Sequence, residues 1–77
     1  MTWNYRVIKH RRKGECWYEI HEVFYDEMGI AHSWSAEGIV PRGETLEDLS
    51  KDLALMETAL EKPFFEITKG ETLKERK

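Results

Sequence analysis

Apolar residues in the second half of the chain recur at a helical period. Leu46, Leu49, Leu53, Met56 and Leu60 stand three and four positions apart. At 100° per residue they occupy an arc of roughly 80°, a single apolar seam on an otherwise polar helix. Thr45 is a suitable N-cap, with Asp48 in the place of the acidic partner of a capping box. Glu44, Glu47 and Asp48 set negative charge at the positive end of the helix. Pro41 and Gly43 keep the helix from starting earlier, and Pro63 disfavours helical geometry at Lys62. The pattern predicts a helix of about 16 residues. An isolated helix of that length is marginal in water, so the seam is expected to lie on the first forty residues, with Leu53 at its centre. An aspartate at Leu53 is accordingly expected to unfold the domain.

Those forty residues follow a period of two. Trp3, Tyr5 and Val7 alternate with Asn4, Arg6 and Ile8, which predicts a first strand over residues 3–9. Residues 10–15 read as a turn, with Gly14 free to take positive φ. Residues 16–25, rich in aromatic and β-branched side chains, read as a second strand. Its parity changes between Ile20 and Val23, for which a bulge near His21–Glu22 is the expected cause. Asp26 to Gly29 forms a hairpin turn, residues 30–37 a third strand, and residues 38–42 the connection to the helix. Phe64 to Ile67 is a candidate fourth strand. The predicted fold is α+β: a three- to four-stranded sheet, β-β-β-α-β along the chain, in spatial order 3-2-1-4. The helix covers one face, and the other is left to solvent or a partner. Residues 1–68 form one domain, and the polar residues 69–77 are expected to fray.

Composition narrows the chemistry. The chain has 77 residues, a single cysteine and a formal net charge of −3. One cysteine excludes an internal disulfide, so packing must hold a core that is small for a domain of this size. No charged start followed by an apolar run is present, so neither a signal peptide nor a membrane span is expected, and a cytoplasmic location is the simplest reading. The acidic balance disfavours general affinity for phosphate backbones. Lys9, Arg11, Arg12 and Lys13 nevertheless concentrate positive charge at the expected turn and supply the alternative reading, a nucleic-acid contact.

Other candidate chemistry is sparse. Cys16, His10, His21 and His32 are the soft metal ligands, but none is paired at a two-to-four spacing, and Cys16 and His21 differ in strand parity. They read as strand histidines and a buried thiol, so no metal and no cofactor is expected. Glu19, His21 and Glu22 require the bulge to share a face, and His32 points away from Ser33 and Ser35. With no phosphate loop or nucleophile elbow either, the chain does not read as an enzyme. Three tryptophans exceed what one helix can cover. Trp17 and Trp34, with Leu55 about 130° from the centre of the helical seam, are the candidate partner-binding residues.

Three segments carry a family likeness. Trp3-Asn4-Tyr5-Arg6-Val7, Ile20 to Glu27 and Gly43 to Leu49 together resemble a group of small bacterial proteins to which no activity is assigned. The strand order and the Gly-Glu-Thr-Leu-Glu entry into the helix also resemble HicB-like antitoxins. The segment before the helix is shorter than in that family, and no DNA-binding tail follows in this sequence. The resemblance implies a shared topology and no site residue. The expected function is a small non-catalytic protein-interaction or regulatory module, most simply a homodimer.

Overall fold

A computed structural model describes residues 2–68 and 70–76. Two long strands form its centre: β1 (Thr2–Arg12) and β2 (Glu15–Tyr25) pair antiparallel without interruption from Thr2 opposite Tyr25 to Arg12 opposite Glu15. The loop between them is only Lys13-Gly14, both at positive φ (49° and 85°), the geometry that matches strand twist in a two-residue hairpin. The expected turn at 10–15 is therefore mostly strand. A short β3 (Ala31–Trp34) lies outside β2. α1 (Leu46–Glu57) follows, tightening into a 3₁₀ turn over Thr58–Glu61. β4 (Phe64–Ile67) returns parallel to β1, and β5 (Leu73–Arg76) folds back antiparallel on β4.

The result is an α+β fold with one helix and a mixed sheet in the order β3-β2-β1-β4-β5. The predicted 3-2-1-4 order is embedded in it. The fifth strand is new, and it replaces the frayed tail expected after residue 68. Arg76 ties it to the sheet: Arg76 and Arg11 both reach Glu66 on β4, at 3.0 and 3.2 Å. With Arg76 as the leading cause, they hold that carboxyl below its ordinary range. Lys69 and Lys77, also in that expected tail, lie outside the described residues.

No bulge interrupts β2 at His21–Glu22; the irregularity falls between Phe24 and Tyr25, against β3. The parity change is genuine because both sheet faces bury apolar side chains. Toward the helix, Tyr5, Val7, Met56 and Ala59 form one cluster, flanked by Ile20, Ile39 and Phe64. On the opposite face, Ile8, Val23 and Phe65 form a second, flanked by Tyr25, Trp34 and Leu73 among others. That face, expected to be open, is closed by long side chains. Arg6 lies 4.3 Å over the Phe65 ring and donates to Tyr25 Oη, the Pro63 carbonyl and Glu75.

The helix departs furthest from expectation. Thr45 caps it as predicted, its Oγ1 accepting from the Asp48 N–H at 3.0 Å. The seam, however, does not lie on the sheet. Met56 is buried, but Leu46, Leu53 and Leu60 are 84%, 48% and 71% exposed, and Leu49 is 36% exposed. Asp52, Met56 and Ala59 face the strands instead, so the helix is rolled by roughly 70° from the orientation its leucines predict. Asp52 explains the roll. One carboxylate oxygen accepts from Tyr5 Oη–H and the other from the Arg42 N–H, each at 2.9 Å.

Candidate functional site

The roll of α1 opens a groove. After β3 the chain stays tied to β2, with Ser35 N–H donating to the Glu22 carbonyl and Ile39 N–H to that of Ile20. This connection carries the chain from the Trp34 side of the sheet to the helix side. Between it and α1 lies an open groove of about 1020 Å³, whose walls include Trp17, Ile39, Val40, Leu53, Met56 and Leu60. Arg12, Glu19, Glu37 and Glu57 supply its charge.

Beside the groove, β1 and β2 assemble a polar cluster. The two-residue loop puts the even residues of β1 on the same face as the odd residues of β2, so His10, Glu19 and His21 share that face. His10 sits opposite Trp17 and stacks on it, centroids 5.4 Å apart and planes 11° from parallel. His21 is fully buried, Glu19 is 41% exposed at its side chain and His10 20%. Three atoms converge: His10 Nε2 and His21 Nε2 are 3.0 Å apart, and Glu19 Oε1 lies 3.2 Å from each. Among the described residues this is the group of histidine, cysteine and acidic side chains whose ligand atoms come close enough to share a cation.

Hydrogen bonding fixes the state of His21. Its Nδ1 faces the Ser35 carbonyl at 3.0 Å, and a carbonyl only accepts, so Nδ1 carries the hydrogen. The Ser35 hydroxyl, 3.1 Å from the same nitrogen, donates to the Glu37 carbonyl. Nε2 of a neutral His21 is then a bare lone pair aimed at Glu19 and His10. Burial, as the leading cause, pushes the His10 imidazole below its ordinary pKa and so favours its neutral form.

The residues singled out in the sequence do not gather in one place. Trp17 lines the groove at 38% exposure, whereas Trp34 is half-buried in the second cluster opposite Val23. Leu55 is exposed as expected, but it is outside the groove wall. Lys9, Arg11 and Arg12 belong to β1, leaving only Lys13 in the turn. Lys9 and Arg11 point to the helix side and Arg12 to the other, so the basic run splits between faces; Arg11 is already paired with Glu66. Cys16, expected to be buried, is exposed.

The His10–Glu19–His21 cluster is not legible in spacings along a single strand, because it is assembled across β1 and β2. The signal that would have found it is the Lys13-Gly14 turn, which sets the register and hence the shared face.

The fold and groove define a single-helix α+β domain with an apolar groove, and no helix among the described residues is long and apolar enough to cross a membrane. Compared with known proteins, the chain matches no family model, no curated protein and no solved structure.

Proposed function

We propose that this protein is a non-catalytic interaction module that works as a homodimer, with the leucine face of α1 and the adjoining groove as its contact surface. The observation that carries this reading is the exposure of Leu46, Leu49, Leu53 and Leu60 along one side of a helix whose other side is docked. Their spacing of three, four and seven is the repeat with which two helices pack against each other. A two-fold pairing lets each copy set its leucines into the other's groove.

The magnitude fits a reversible assembly. The four leucines together expose the equivalent of more than two complete side chains. Burying them contributes about 4–7 kcal/mol per protomer. Two protomers then gain about 7–14 kcal/mol, against an association cost of about 4–15 kcal/mol. The net runs from about 10 kcal/mol in favour of association to about 8 kcal/mol against it, which allows a reversible assembly and not a permanent dimer. Sedimentation velocity from about 1 to about 500 µM tests it. The mass should double with concentration, and Leu46→Ser with Leu53→Ser should hold the chain monomeric with an unchanged circular dichroism spectrum. A wild-type chain that stays monomeric throughout refutes the homodimer.

A further inference from the structure

We infer that His10, Glu19 and His21 form a binding site for one divalent transition-metal ion, zinc by the chemistry of its donors, with a fourth coordination position open. This site is separate from the leucine contact and does not depend on it.

The geometry is that of a ligand triangle. The edges between His10 Nε2, His21 Nε2 and Glu19 Oε1 are 3.0, 3.2 and 3.2 Å. A tetrahedral zinc ion bound to nitrogen and oxygen at about 2.0–2.1 Å spaces its ligands by about 3.3 Å. The three atoms therefore need to separate by only a few tenths of an ångström to hold the ion just above their plane. Two imidazoles and one carboxylate also make a recognised zinc donor set with one vacant position. Zinc prefers this mixture, whereas magnesium and calcium prefer oxygen alone.

With both rings neutral, hydrogen bonding does not satisfy all three atoms. With its hydrogen on Nδ1, neutral His21 offers Nε2 as a lone pair, and an ionised Glu19 offers only lone pairs. A hydrogen on His10 Nε2 satisfies one of these two atoms, and His21 Nε2 still faces Glu19 Oε1 at 3.2 Å. A fully buried imidazole nitrogen left against a carboxylate oxygen is costly, and a shared cation removes the conflict at once.

The surroundings are those of an oriented ligand set. A histidine that binds metal commonly donates its other ring hydrogen to a carbonyl, as His21 does to Ser35. His10 is held by its stack on Trp17. The two histidines are far apart in register, since His10 is opposite Trp17 and His21 opposite Arg6. Their rings meet because both side chains lean along the strands toward Glu19, which lies between them. Glu19 is in turn flanked closely by the Gly38 backbone, where an added Cβ would come within 3.2 Å of its side chain. Glu19 is the most exposed of the three, so a fourth ligand would reach the ion from its side.

The test uses the full chain without an affinity tag, stripped with chelator and dialysed. Calorimetric titration with zinc should show uptake of one ion per chain. Cobalt in its place should give the intense visible bands of a four-coordinate ion. His10→Ala and Glu19→Gln, both at partly exposed positions, should each weaken zinc binding by at least about tenfold while keeping the wild-type circular dichroism spectrum. His32→Ala, an exposed histidine on β3, should bind as the wild type does. Failure to take up stoichiometric zinc below millimolar concentration overturns the inference. So does equal uptake by a folded His10→Ala chain.

Discussion

Replacing Tyr5 with phenylalanine tests what sets the roll of α1. Tyr5 is only 7% exposed, and its hydroxyl donates to Asp52 at 2.9 Å, so the substitution removes one bond to a charged acceptor at nearly constant volume. Such bonds contribute about 1.5–3 kcal/mol. Asp52 keeps the Arg42 N–H, which places the loss in the lower half, about 1.5–2 kcal/mol. In a domain this small, that lowers Tm by about 6–15 °C. The bond also has a pH signature. Burial first, and then the bond to Asp52, push the Tyr5 phenol up to about 12 from an ordinary 10.0. Between those values the unfolded chain has released this proton and the folded chain still holds it, so unfolding releases a proton and stability falls as pH rises. The contribution is fully present below pH 10 and lost through about pH 12, with an upper bound of about 2.7 kcal/mol. Tyr5→Phe lacks this group. Thermal melts of both proteins from about pH 8 to about pH 12 should therefore show a gap that closes as the pH rises. A gap that stays constant, or no gap at about pH 8, refutes the assignment of the roll to this pair.

Two further substitutions separate the docked side of α1 from the free one. Leu53→Asp, at a half-exposed site, should lower the stability of the dilute monomer by no more than about 1 kcal/mol, whereas Met56→Ala should cost about 2–4 kcal/mol by chemical denaturation. Equal losses would mean that the leucines are buried after all. Gly43→Ala should cost about 1–3 kcal/mol in the same assay, because its Cβ would run into the Leu49 N–H that forms the first helical hydrogen bond. Glu66→Gln should release β5, read as faster hydrogen exchange at residues 73–76 with β1 and β2 unchanged, since Arg76 and Arg11 lose their shared anion.

Much of the fold was legible because local rules agreed. Thr45 capped the helix, Gly14 and Gly29 took positive φ, and Phe64–Ile67 formed the strand beside β1. The rest failed where one pattern served two purposes. Ile20 and Val23 looked like an error in alternation because one buried face was assumed; with two, each residue is in phase with its own cluster. Leu73 appeared isolated in a charged tail, yet it joins the second cluster, and its neighbours Glu75 and Arg76 pair with Arg6 and Glu66. Charge pairing across strands has no signature in one-dimensional periodicity.

The helical seam shows the same ambiguity in energetic form. Periodicity reports that five apolar side chains share a stripe; it does not report which surface covers them. Within one chain, the stripe competes with Asp52, whose carboxylate gains two hydrogen bonds by turning toward Tyr5 and Arg42. Facing the sheet with the leucines would bury more apolar area but would carry Asp52 away from both donors. The observed roll satisfies the carboxylate, buries Met56 and Ala59, and leaves the leucines outward. Such an arrangement is stable in a lone protomer only at a standing cost in exposed apolar surface. In the proposed homodimer the contact that removes that cost is intermolecular, so the residues that misled the fold prediction are the ones on which the functional proposal rests.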